Sequence, residues 1–119
     1  MRRDIEEQEQ IIVFSWIALH EERYPQLKMV YHCPNGGARD ARTGAKLKRM
    51  GVKKGVPDIL CHEISGRFRG FALEMKSGKN KLTKEQKEWL KRFVDLGYYT
   101  DICYSAEEAI YAIKEYLKG

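Results

Sequence analysis

The chain has 119 residues, of which 43% are hydrophobic and 33% charged, with 22 Lys plus Arg against 17 Asp plus Glu. That length suits one domain with a core of its own and is short for two. No apolar run approaches the roughly 20 residues that span a bilayer, and Met1-Arg2-Arg3-Asp4 runs into acids rather than an apolar export segment, so a cytoplasmic protein with no membrane partner is expected.

Residues 4 to about 22 read as a first helix, with Asp4 as N-cap, acids in the opening turn and an apolar side from Ile5 through Ile12, Val13, Trp16 and Leu19 broad enough to be well buried. Tyr24-Pro25 ends it. Residues 28–33 form a candidate strand, stopped by the turn sequence Pro34-Asn35-Gly36-Gly37. A basic segment follows, with a short helix expected around residues 44–50, and Gly51 and Gly55 bracket a loop leading to Pro57. Cys33, Cys61 and Cys103 are odd in number, with no C-x-x-C spacing, so reduced and mostly buried thiols are expected.

Two strand-like runs, 59–63 and 69–73, then flank a turn signal at Ser65-Gly66. A hairpin centred on Gly66 makes paired residue numbers sum to 132, so that Ile59 faces Leu73, Cys61 faces Phe71, Glu63 faces Arg69, and Asp58 falls opposite Glu74. Facing residues of an antiparallel pair have Cβ atoms about 4.5–5.5 Å apart, and two bare carboxylates so placed repel. A divalent cation offsets that repulsion; Mg²⁺ takes oxygen ligands from one or two carboxylates plus water and phosphate. Strand alternation puts Lys76 on the face of Glu74, with Met75 turned away. Two acids and one ammonium on a single face suggest a metal-dependent phosphodiesterase, and a bulge would shift the register by one.

Beyond a lysine-rich loop over residues 77–82, Thr83-Lys84-Glu85-Gln86 has capping-box spacing and opens a helix through Trp89, Leu90, Phe93 and Val94 that Gly97 ends. Residues 98–104 form the next strand. Ser105-Ala106-Glu107-Glu108 supplies a second capping box before a terminal helix bearing Ile110, Ile113, Tyr116 and Leu117. Trp16, Trp89 and Phe93 stand at helical core spacing, and neither His32 with Cys33 nor His62 with Cys61 has a zinc-ligand spacing. The order of elements suggests a mixed sheet with helices on both sides.

The positive charge is concentrated beside the acids. Between residues 39 and 54 seven basic side chains face Asp40 alone, and between 76 and 92 seven more face Glu85 and Glu88. Such a distribution draws a polyanion toward an acidic metal site through salt-dependent phosphate contacts.

Taken together, Glu6-Glu7-x-x-Gln10, Pro34-Asn35-Gly36-Gly37, Gly55-Val56-Pro57-Asp58, Glu74-Met75-Lys76 and Leu82-Thr83-x-x-Gln86 resemble the VRR-NUC family, virus-type replication-repair nucleases of the PD-(D/E)xK superfamily. The resemblance runs over nearly the full length. It implies one VRR-NUC-like nuclease domain over residues 1–119, an α/β restriction-endonuclease-like core with a mixed sheet flanked by helices. It implies that Asp58 and Glu74 bind Mg²⁺, with Mn²⁺ able to substitute, that the Met75 carbonyl is a further ligand, and that Lys76 orients or helps deprotonate the attacking water. A helix-1 glutamate and Gln86 join that site. Glu6, one turn before Gln10, is favoured over Glu7, and Glu9 lies nearby. Gln86 and Glu6 also have purely local uses, as capping-box partner and as an acid at the positive end of a helix. Asn35, Gly36, Arg39, Arg42, Lys46, Lys53, Lys54, Lys79 and Lys81 are the candidate nucleic-acid contacts. The implied activity is DNA phosphodiester hydrolysis, on duplex or on branched DNA such as a four-way junction, by a homodimer, in replication, repair or recombination in a bacterial or phage-infected cell. The competing reading is a catalytically inactive basic nucleic-acid-binding module on the same fold.

Overall fold

The most apolar segments of the chain are the two central strands, and the rest of the fold covers them. The computed structural model describes residues 2–34 and 41–119, with side chains from Ile5 onward. Strands β1 (Tyr31–His32), β2 (Ile59–Cys61), β3 (Phe71–Met75) and β4 (Tyr99–Cys103) form one sheet in that order. β1 with β2 and β2 with β3 are antiparallel, whereas β3 with β4 is parallel. A parallel pair needs a crossover, and helix α3 (Lys84–Asp95) provides it.

Alternation along the strands divides the core in two. Ile59, Cys61, Phe71, Leu73 and Met75 pack with Val13 and Ile17 of helix α1 (Arg2–His20) and with Ala109, Ile113 and Tyr116 of helix α4 (Ala106–Lys118). Leu60 and Ala72, from the alternate positions, meet Phe93 of α3, with Val56, Trp89 and Tyr98 beside them. β3 is buried at all five positions because both its faces are covered. The result is a single domain with a mixed four-stranded sheet and helices on both faces, as the order of elements suggests. Among the described residues no helix is long and apolar enough to cross a membrane.

The hairpin register is the one expected where it matters. Ile59 pairs with Leu73, Leu60 with Ala72 and Cys61 with Phe71, all at the sum of 132. Nearer the turn the expectation fails. Ser65 and Phe68 exchange both backbone hydrogen bonds around Gly66, whose φ is 57°, and the chain between this bridge and the ladder holds three residues on one side and two on the other. That bulge takes Arg69 out of register with Glu63. The Arg69 amide instead donates to the Gly97 carbonyl, and the Glu63 carbonyl accepts from the Tyr116 hydroxyl.

Other expectations are corrected as well. The strand expected over residues 28–33 shrinks to Tyr31–His32, because Pro25–Met29 closes as a 3₁₀ helix that buries Leu27. The short basic helix starts earlier than expected, as α2 (Ala41–Arg49). It ends in a Schellman turn in which Gly51, at φ 102°, lets the Val52 amide reach the Leu47 carbonyl and the Gly51 amide the Lys48 carbonyl. At the start of α4, the Ser105 side chain caps the Glu108 amide, but the Glu108 carboxylate reaches back to Tyr104 rather than closing a box on Ser105. The broad apolar side of α1 is not well buried: Val13 and Ile17 are, whereas Ile5, Ile11, Ile12 and Leu19 are 50% or more exposed.

One close approach positions everything downstream. Gly55 lies at φ 84°, and a Cβ built there would sit 2.7 Å from the Gln86 nitrogen and the Glu85 carbonyl carbon. These are backbone atoms of the first turn of α3 and have no room to retreat, so the loop entering β2 is seated directly on α3. Gly55→Ala is therefore expected to cost about 1–3 kcal/mol through backbone strain and overpacking, read as a lowered midpoint of thermal unfolding. A variant as stable as the wild type would show that the loop and helix are not in contact.

Candidate active site

Continuing the β2–β3 register by one residue places Asp58, just before β2, opposite Glu74 near the end of β3. Glu74 is 3% exposed. Its Oε2 accepts a hydrogen bond from Gln86 Nε2 at 3.2 Å, and its buried Oε1 has no hydrogen-bond partner among the described residues. Burial, the Asp58 charge and a hydrogen bond to Asp58 together push the Glu74 carboxyl up from 4.5 to about 9, with Glu6 adding to the rise and Lys76 opposing it. Without a cation, then, Glu74 keeps its proton well above the usual carboxylate range. Asp58 is fixed from both sides. Its Oδ2 accepts from the Met75 amide at 2.7 Å, and its carbonyl accepts from the Cys33 amide at 3.0 Å and from His32 at 2.7 Å. Because a carbonyl only accepts, His32 carries its proton on Nδ1.

Three glutamates compete for a place on α1, and the fold separates two of them. Glu6 lines the cleft that holds Asp58, Glu74 and Lys76, and its Oε2 accepts from Ser77 Oγ at 2.9 Å. Glu9 points elsewhere: its Oε1 accepts from the Ala106 amide at 2.9 Å, capping the start of α4 from across the domain. Glu7 is exposed. Ser77, next to Lys76 and 5% exposed, was not a candidate from the sequence. Its only signal there is adjacency to the Glu74-Met75-Lys76 run.

Gln86 serves both the cap and the cleft. Its backbone amide donates to Thr83 Oγ1 at 3.1 Å, and its Oε1 accepts from the Thr83 amide at 2.9 Å, which closes the capping box. With Oε1 so engaged, the amide is left with its NH₂ facing Glu74. The capping box thus sets which end of the side chain meets the carboxylate.

The cleft has a volume of about 380 Å³ and is lined by Glu6, Asp58, Glu74, Lys76 and Gln86 together with Lys54, Gly55, Thr83 and Glu85. Among the described residues no group of three or more His, Cys, Asp or Glu side chains is gathered as a ready metal cage. Two opposed carboxylates, one with an orphaned buried oxygen, fit a hard cation that keeps most of its shell as water and phosphate oxygen. They do not fit a zinc-type centre. His62 is engaged instead by Tyr31, at 2.6 Å, and Tyr98, at 2.7 Å.

Among the described basic candidates for nucleic-acid contact, Lys54 alone lines this cleft. Arg42 and Lys46 are exposed on α2, and Lys53 and Lys54 are exposed in the loop that follows it. The Lys54 carbonyl is held by the Trp89 indole N–H at 2.9 Å, so Trp89 braces the loop rather than lying wholly in the core. Lys79 and Lys81 are exposed beyond Lys76. Asn35, Gly36 and Arg39 lie outside the described residues.

A mixed sheet whose central hairpin opposes two acids, with a lysine two residues after the second, is the framework of a PD-(D/E)xK nuclease. The VRR-NUC domain family matches residues 2–107, and the chain belongs to that family, which implies nuclease activity. A solved structure titled VRR_NUC domain protein is 28% identical, with a TM-score of 0.78 over 96% of this chain and 88% of its own. No curated protein matches significantly in sequence.

Two outcomes are expected from this geometry. Between pH 4.5 and about 9 the folded state holds a Glu74 proton that the unfolded state has released, so this group lowers metal-free stability as pH rises, by at most about 1.4 kcal/mol per pH unit. Glu74→Gln is expected to remove that slope and to raise the unfolding midpoint in EDTA at pH 8 more than at pH 5; a midpoint that falls at both pH values would refute the opposed-acid arrangement. For Gln86, Thr83→Ala should cost about 1 kcal/mol of stability while changing the cleavage rate little, because the Thr83 amide still orients Gln86. Gln86→Ala should lose both. Equal cleavage rates for the two variants would leave Gln86 as a cap alone.

Proposed function

We propose that this protein is a Mg²⁺-dependent DNA endonuclease, with Mn²⁺ able to substitute, and that Asp58, Glu74 and Lys76 carry its chemistry. The observation that supports this most directly is the buried Glu74 carboxyl opposite Asp58, whose Oε1 has no hydrogen-bond partner among the described residues. An arrangement that costs stability in the empty protein gains its reason from a cation.

Asp58 and Glu74 would hold the metal, with the Met75 carbonyl as a further ligand. When bound, the metal lowers the pKa of its water and neutralises charge on the scissile phosphate. The protein side chains divide the remaining work. Lys76, half-buried on the rim of the cleft, presents an ammonium that holds the attacking water and stabilises negative charge as it develops on the phosphate. Gln86 keeps Glu74 oriented through its fixed NH₂. Glu6, held by Ser77, adds a carboxylate on the far wall, suited to taking a proton or ordering a water. The exposed lysines and arginines around the cleft bind the DNA backbone.

The finer reading is a structure-specific enzyme acting on branched DNA, such as a four-way junction, in replication, repair or recombination. The exposed Ile5, Ile12 and Leu19, seven residues apart on one face of α1, suit a covered face, which supports a homodimer, and a two-fold enzyme suits a two-fold junction. The alternative is a binding module with no activity; an intact Asp58, Glu74 and Lys76 in one cleft argues against it.

Cleavage of labelled junction, flap and linear duplex with Mn²⁺ tests both levels. Lys76→Ala is expected to slow cleavage by about 10²–10³-fold and Asp58→Ala to bring it to background, each with DNA affinity retained. Equal cutting of all three substrates would remove the junction preference. A wild type that binds DNA and cuts none of them would leave the inactive module.

A further inference from the structure

Helix α2 is the part of this protein least accounted for by its own packing. It has nine residues and buries none of them. Isolated helices shorter than about 12–15 residues are marginal even with good helix formers, and α2 carries Gly44 in its interior. Its half-buried side is small, being Gly44 and Leu47. Its opposite side carries Arg42, Lys46 and Arg49, spaced i, i+4 and i+7, all exposed and without an ion pair among the described residues. No acid lies anywhere in Ala41–Arg49. Lys48 and Arg49 suit the negative end of the helix, but Arg42 with Lys46 and Lys46 with Arg49 are like-charged neighbours that work against it.

The position of this stripe is as telling as its charge. α2 ends five residues before Lys54, which lines the cleft with Asp58 and Glu74, and the Trp89 indole and Gly55 tie that connection to α3. The stripe is therefore joined to the cleft wall at Lys54 by a short connection whose far end is held on α3. At about 1.5 Å rise per residue its cations recur along roughly 10 Å of axis, while phosphates of one DNA strand recur every 3.4 Å or so along the duplex. A row of cations on one helix face, so close in the chain to the cleft, suits a run of phosphates and offers no pattern for reading bases.

We propose that α2 is a backbone clamp for nucleic acid, in which Arg42, Lys46 and Arg49 engage successive phosphates and the helix is consolidated by that contact. The proposal rests on the reading of DNA as substrate and adds the element that grips it and the means. DNA supplies the negative charge that α2 lacks, so binding relieves the repulsion along the stripe, and part of the binding free energy is spent in ordering the helix.

Gly44 gives the test its specificity. A Cβ there meets nothing within 4 Å among the described residues and the residue does not have a positive φ, so Gly44→Ala strengthens the helix without adding charge. Affinity for a labelled DNA duplex is measured by fluorescence anisotropy in EDTA across 50–200 mM salt, so that cleavage plays no part. The expected result is binding about fivefold tighter for Gly44→Ala with the salt slope unchanged. The triple variant R42Q/K46Q/R49Q is expected to lower the log-log salt slope by about 0.9 for each lost phosphate contact, close to three contacts' worth. The control K28Q/K114Q/K118Q removes the same charge from the 3₁₀ segment and α4, away from the α2 stripe, and should change the slope by less than one contact. Equal slopes for the two triples would overturn the clamp, and unchanged or weaker binding by Gly44→Ala would overturn the coupling to helix order. Failure of the enzyme reading looks different: the wild type would cut no DNA while these binding results stood.

Discussion

Asp58 and Glu74 are held opposite one another by the β2–β3 register, and the structure around them answers to that repulsion. Two carboxylates at neighbouring positions across a strand pair are unfavourable in water and more so when one is 3% exposed. The surrounding donors are few and specific. Met75 lends its amide to Asp58, Gln86 its NH₂ to Glu74, and Lys76 a nearby positive charge. Among the described residues they leave one oxygen, Glu74 Oε1, unsatisfied. A core selected only for stability would have filled that gap with another donor or an apolar pair, since a buried acceptor without a partner costs about 1–3 kcal/mol. The gap is confined to a cleft whose walls come from α1, the loop before β2, β3 and the first turn of α3, so its cost is borne by the whole domain.

This dependence explains why small residues at a distance from the acids are held so tightly. Gly55 lets the loop before Asp58 lie against the backbone of Glu85 and Gln86, which sets the distance between one acid and the donor of the other. Thr83 orders the first turn of α3, and through it the Gln86 amide. Ser77 ties the end of β3 to Glu6 on α1. Each contact joins two elements that approach the cleft from different directions.

The centre of this arrangement was legible in the sequence because it depends on local rules. A glycine turn fixes a hairpin, alternation fixes which side chains share a face, and the Asp58–Glu74 opposition follows from counting outward from Gly66. Counting failed closer to the turn, where the bulge before Ser65 separates Glu63 from Arg69; nothing in the residue types of 62–64 marks an extra residue. The capping box at Thr83 was equally local, but that its glutamine also reaches Glu74 required the packing of α3 on the sheet. Glu6 and Glu9 share helix, charge and spacing, and only the docking of α1 sends one to Ser77 and the other to the amide of Ala106. The exposure of Ile5, Ile12 and Leu19 was misread for a related reason. An apolar stripe says that a face is to be covered but not by what.

The same distinction between local charge and its surroundings applies to the electrostatics of the whole molecule. The cleft is acidic at its floor and the chain is basic overall at +5, and these opposite signs act over different distances. Exposed lysines and arginines are felt out to a Debye length, about 8–10 Å in physiological salt, and so govern the approach of a polyanion. The charge of the Asp58–Glu74 pair is confined to the cleft floor and acts over a few ångströms. A phosphate backbone drawn in by the first set would meet repulsion from the second at the last step. A cation between the acids reverses the sign of that final encounter while leaving the long-range attraction intact. Separation of the two charge sets, one on exposed helix and loop and the other at the buried end of a strand pair, lets each act over its own range within a single small domain.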